Sequence, residues 1–120
     1  MNPYQIYQNT SINTMPINIQ ISEIHKRGAL LSRQIRDYAN SGKIQEARNS
    51  IIELEDIITF LRSSLDPSLE VSVQVDETFI FYYKVIANWF LDPVKIPDEF
   101  DSLVEFWESW AQTWAKVNVK

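Results

Sequence analysis

The chain is expected to fold as an all-α protein: an antiparallel four-helix up-down bundle preceded by an irregular N-terminal arm. Three observations lead there. Apolar residues recur at steps of three and four over four separate stretches, the spacing of one helix face. The breaks between stretches are short and carry helix-stopping residues, Asn40-Ser41-Gly42, Asp66-Pro67 and Asp92-Pro93 through Pro97. Only two glycines occur in 120 residues, fewer than the turns of a strand-rich fold need. Helices of similar length joined by short connectors pack as antiparallel neighbours.

Residues 1–16 read as the arm, ending near Pro16, and residues 17–120 as the bundle domain. The first helix carries Ile17, Ile21, Ile24, Gly28, Leu31, Ile35 and Tyr38 on one face. Asn40-Ser41-Gly42 stops it, with Gly42 suited to the left-handed cap. The second helix repeats Ile44, Ala47, Ile51, Leu54, Ile58, Leu61 and Leu65 in strict steps. Asp66-Pro67 ends it and is expected to cap the third helix, with Asp66 as N-cap and Pro67 at the first helical position. In Leu69 to Leu91, helix is the preferred reading, because Val71, Val75, Thr78, Tyr82, Val85 and Trp89 keep helical spacing. The alternation of Val71, Val73 and Val75 and the run Phe79 to Tyr83 keep a hairpin open, although neither Gly nor Pro marks its turn. The last helix has Asp98 and Glu99 in its first turn, favourable for the helix dipole. Its stripe is Phe100, Leu103, Trp107, Trp110, Trp114 and Val117.

Composition narrows function. The chain is long enough for one domain with a real core. Its net charge is −5 and its pI near 4.8, with scattered Lys and Arg, so nucleic acid is not an expected partner. No apolar run is long enough for membrane insertion. The start has no positive region followed by an apolar run, so no signal peptide is expected and a cytoplasmic location is. There is no cysteine, hence no thiolate chemistry.

Catalytic and cofactor patterns are absent. There is no phosphate-binding glycine loop, no nucleophile elbow and no His/Cys cluster. The carboxylates Glu53, Glu55, Asp56, Asp98, Glu99 and Asp101 lie off the apolar seams without the Glu-x-x-His spacing of a bundle metal site, and read as a solvated face. No metal, no cofactor and no enzymatic activity are expected. His25, the single histidine, reads as a surface residue in the basic turn His25-Lys26-Arg27. A minor alternative is a histidine phosphotransfer module. Such modules place Lys and Gly shortly after an exposed helical histidine, and His25-Lys26-Arg27-Gly28 has these ingredients at short spacing.

Two features point to binding instead. Tyr4, Ile6 and Tyr7 sit in a terminus of the kind that normally frays, which core building does not explain. The third helix is apolar around most of its circumference, through Phe79 to Tyr83, Val85, Ile86, Trp89, Phe90 and Leu91. Such a helix needs cover on more than one side. The arm is the available internal cover, and a partner is the external one.

The opening Asn2-Pro3-Tyr4-Gln5-Ile6-Tyr7 resembles the Asn-Pro-Tyr-x-x-Tyr start of the flagellar secretion chaperone family FliS. Ile44-Gln45-Glu46-Ala47, Leu65-Asp66, Glu70-Val71-Ser72 leading to Phe79, Phe81 and Tyr83, and Trp114-Ala115-Lys116-Val117 are similar to that family in the same order. Trp107 and Trp110 are additions to its pattern and mark a divergent member. The resemblance implies a cytoplasmic export chaperone that binds the C-terminal segment of flagellin, blocks premature polymerisation and delivers it to the flagellar type III apparatus, with export-gate components as further partners. A homodimer is a further possibility, and a helical adaptor for another client is the alternative function. The expected groove contacts are Tyr4, Ile6 and Tyr7 in the arm and the off-seam residues Ile57, Phe60, Phe79, Tyr83, Ile86 and Phe90.

Overall fold

A computed structural model describes residues 17–65, 67–93 and 99–116. Four α-helices run in order: α1 Ile17–Asn40, α2 Ile44–Ser63, α3 Glu70–Leu91 and α4 Glu99–Ala115. The third segment is therefore helical, and the hairpin reading falls. The arm, Asp66, Asp98 and Val117 lie outside the described residues, and so does the side chain of Trp114.

Local chemistry explains the boundaries. α1 ends in a Schellman motif: the Gly42 amide donates to the Ala39 carbonyl at 3.1 Å and the Lys43 amide to the Tyr38 carbonyl at 2.8 Å. Gly42 has φ +73°, where a side chain would be strained. At the end of α2, the hydroxyls of Ser63 and Ser64 donate to the Phe60 carbonyl at 2.9 and 2.8 Å, which also accepts the Ser64 amide at 3.0 Å. α3 departs from the expected cap. It starts at Glu70, not Pro67, because Leu69 takes extended backbone angles (φ −98°, ψ 130°) and breaks the helical path just before Glu70.

The helices alternate up and down. Arg27 meets Glu53, Arg62 meets Asp76 and Arg36 meets Asp101, so each neighbouring pair is antiparallel. Ile21, Leu31, Ile35, Ile51, Leu54, Ile58, Leu61, Phe79, Ile86, Trp89, Leu103 and Trp107 form the centre of the core, each at most 3% exposed. The α2 stripe expected from the sequence is buried from Ala47 to Leu61.

α1 lies close against α4 and α2, whereas α3 and α4 stand further apart. Side-chain size accounts for this. α1 turns Gly28, Ala29, Ser22 and Ser32 inward, and the Ser22 hydroxyl donates 2.7 Å to the Ala111 carbonyl of α4. Between α3 and α4 sit rings: Phe79 meets Phe106 edge-on at 5.8 Å, Tyr82 lies 4.7 Å from Phe106, and Trp89 lies 6.1 Å from Phe100. Aromatic pairs of this size hold backbones apart while still excluding water.

Candidate partner-binding site

Every arginine of the chain clasps across a helix seam. Arg27 pairs with Glu53 between α1 and α2. Arg33 pairs with Glu108, and Arg36 with Asp101, between α1 and α4. Between α2 and α3 the clasp is a ladder with rungs one heptad apart. Arg62 binds Asp76 through two nitrogens at 2.7 and 3.4 Å. The Tyr83 hydroxyl donates to Glu55, which raises the phenol above its ordinary pKa. Arg48 donates 3.1 Å to the Phe90 carbonyl, with its guanidinium 5.5 Å from the Phe90 ring centre. Exposed pairs of this kind contribute roughly 0–1 kcal/mol each. Their regular spacing sets the α2/α3 register. The α3/α4 seam has no such ion pair among the described residues, and the neutral Tyr82 and Ser102 hydroxyls meet across it at 3.0 Å.

The expected groove residues divide. Tyr4, Ile6 and Tyr7 lie outside the described residues. Phe79 and Ile86 are 0% exposed, which corrects their expected off-seam placement: they are core, in the centre of the inward face of α3 with Val75, Tyr82 and Trp89. Tyr83 and Phe90 are half-buried in the α2/α3 ladder. Ile57 is half-buried and Phe60 is 47% exposed. Both follow Glu53 at helical spacing, so they lie on the α1 flank of α2, whereas Arg48, Glu55 and Arg62 line its α3 flank. Ile57 and Phe60 therefore do not share a surface with Tyr83 and Phe90.

His25 is corrected as well. It is 0% exposed, neither a surface residue nor a phosphoryl acceptor within reach of a donor domain. Its Nδ1 donates 2.8 Å to the Ile21 carbonyl. Its ring stands 5.3 Å from Trp107, 6.2 Å from Trp110 and 6.4 Å from Phe79. Nε2 has no partner. Burial among these rings pushes its pKa down to about 4, so the ring is neutral at pH 7. The sequence held the signal: His25 follows Ile21 by four residues and precedes Gly28 by three, on the same face as the apolar stripe.

The groove that sequence reasoning missed lies where α2 ends and α3 begins. Thr59, Arg62, Ser63, Leu65, Pro67, Ser72, Val73 and Asp76 line a space of about 420 Å³. Leu65, Pro67 and Val73 supply apolar surface. The Arg62–Asp76 pair forms a charged wall. Ser72 is 3% exposed, and its hydroxyl has no partner. A buried hydroxyl without a partner carries a cost that a ligand's amide or carbonyl would remove. The signal for this groove was Val73, two residues from buried Val75 and hence, on a helix, turned away from the core. It is 55% exposed.

This arrangement suits a peptide that brings one or two apolar side chains and a backbone polar group. It has no nucleophile–base pair. Among the described residues there is no cluster of His, Cys, Asp and Glu that could hold a metal, and no helix is long and apolar enough to cross a membrane.

Comparison with known proteins adds one finding. The model of the family described as "Flagellar protein FliS" matches residues 1–120. No curated protein matches the chain.

Proposed function

This chain belongs to the FliS family of flagellar proteins, and from that premise we propose that it is a non-enzymatic cytoplasmic export chaperone for flagellin. It binds the C-terminal segment of flagellin, prevents polymerisation before export and carries the subunit to the flagellar type III apparatus, where export-gate components receive it. Disordered segments of this kind fold as amphipathic helices into apolar grooves.

The observation that carries this reading is the groove at the α2–α3 corner. It combines apolar walls, the exposed Val73 among them, with a buried, partnerless Ser72 hydroxyl. Tyr4, Ile6 and Tyr7 occupy part of the binding surface until the client arrives. Phe60 and Ile57 offer apolar surface on the α1 flank of α2, apart from the groove, Tyr83 and Phe90 lie one and two heptads along the α2/α3 ladder from it, and Phe79 and Ile86 act only from the core.

Calorimetric titration with a peptide covering the C-terminal helices of the same organism's flagellin tests this. One-to-one binding with a clearly negative heat-capacity change is expected. No binding by either the full chain or a form lacking the arm would remove flagellin as the client. It would leave a helical adaptor for another protein.

A further inference from the structure

α3 carries a second stripe, on the side opposite its buried face. Val73, Glu77, Phe81, Lys84, Asn88 and Leu91 follow one another at steps of three and four, and all six are exposed. Val73 is 55%, Phe81 54% and Leu91 76% accessible. Neither Glu77 nor Lys84 takes part in an ion pair among the described residues, although every arginine of the chain is engaged across a seam.

The order of these residues is symmetric. Phe81 stands near the middle. Glu77 and Lys84 lie at nearly equal distances on either side of it, and so do Val73 and Leu91. A helix with this pattern complements itself when a second copy is laid against it in the opposite direction. Phe81 then meets Phe81 of the second copy near a two-fold axis. Glu77 comes within a turn of Lys84 of the second copy, and Val73 within a turn of Leu91 of the second copy, each twice by symmetry.

We propose that the outward face of α3 is a homodimer interface, formed by antiparallel pairing of two copies about Phe81. The occupant is a second copy because the charges and the apolar residues match under reversal, which a client of unrelated sequence has no reason to satisfy. One helix stripe buries less surface than a standard interface, so the dimer is weak and depends on concentration. Val73 belongs both to this stripe and to the α2–α3 groove, so dimer formation and client binding compete for it. The inference goes beyond the chaperone reading and does not depend on it.

Sedimentation velocity of the full-length protein over a range of concentrations tests the pairing, with circular dichroism confirming that each variant folds. The wild-type protein is expected to shift from monomer toward dimer as concentration rises. Glu77→Lys alone and Lys84→Glu alone place like charges opposite each other and should each weaken the dimer at least several-fold. The double variant should recover it. An equimolar mixture of the two single variants should also form dimer, because each charge then meets its opposite across the axis. A wild-type protein that stays monomeric up to about millimolar concentration overturns the proposal, as does a dimer indifferent to these exchanges. Client titration, measured separately at concentrations where the protein is monomeric, reports on the chaperone reading whichever result is found.

Discussion

The α-carbon of Gly28 faces the indole of Trp107 so closely that a Cβ at position 28 would lie 2.5 Å from Cδ2 and 2.7 Å from Cε3. Trp107 is itself 0% exposed, so its ring has no free direction in which to retreat. The close approach of α1 to α4 depends on this one missing methyl group.

Gly28→Ala should therefore destabilise the protein by about 1–3 kcal/mol, the usual range for overpacking. This runs against the gain of about 1 kcal/mol that Ala brings to an exposed helix interior. Urea unfolding measures the sign directly. A more stable variant would mean that α1 and α4 do not meet as described.

Stability should fall as acid is added, through His25. Its folded pKa, about 4, is below the ordinary value near 6.5. The unfolded chain thus binds the proton more readily. The stabilising contribution is complete above about pH 6.5 and is lost as pH falls toward 4, amounting to roughly 3 kcal/mol in all. His25→Phe should flatten the slope of unfolding free energy between pH 6.5 and 5, whatever its effect at pH 7. An unchanged slope in that variant would move the acid sensitivity to other groups.

Ala substitution separates core from surface among the residues the sequence placed in a groove. Phe79→Ala should cost about 3–5 kcal/mol of stability and Ile86→Ala about 2–5 kcal/mol, since both are fully buried. Phe60→Ala should cost well under 1.5 kcal/mol, because half its surface is already in water. Equal losses at all three positions in thermal and urea melts would contradict the packing of α3.

Val73→Asp tests the α2–α3 groove. The side chain is exposed, so stability should change by less than about 0.5 kcal/mol. Binding of the flagellin peptide should weaken at least tenfold, or about 1.4 kcal/mol. Unaltered affinity would place the client elsewhere on the bundle.

Removal of residues 1–10 should tighten peptide binding if Tyr4, Ile6 and Tyr7 act as an internal ligand. The free protein would then no longer divide its population between covered and open grooves. Calorimetry of the truncated and full chains in the same buffer decides this. Equal or weaker affinity after truncation argues against cover by the arm.

Most of the fold was legible in the residues. Four periodic stretches, their breakers and the scarcity of glycine led to four helices, and Asn40-Ser41-Gly42 marked a turn whose hydrogen bonds are those of a glycine cap. The start of α3 was misplaced because Asp-Pro is a good local cap, while the backbone of Leu69 stays extended before the helix begins. His25 was misread because its neighbours Lys26 and Arg27 are charged. Its own position on the helix, shared with Ile21 and Gly28, was the better guide.

The amino-acid sequence alone determined which four stretches are helical, that each carries an apolar stripe, where α1 stops, and membership of the family. Periodicity carries that information because a side chain's direction on a helix depends only on its own backbone. Which helix each face meets was decided by the tertiary structure. It put Phe79 and Ile86 in the core, Ile57 and Phe60 on a different flank from Tyr83 and Phe90, and a groove beside Val73. The distance between two helices depends on the sizes of side chains brought together from far along the chain. Gly28 and Trp107 draw α1 and α4 together, whereas Phe79, Tyr82 and Phe106 hold α3 and α4 apart. No local pattern contains that sum.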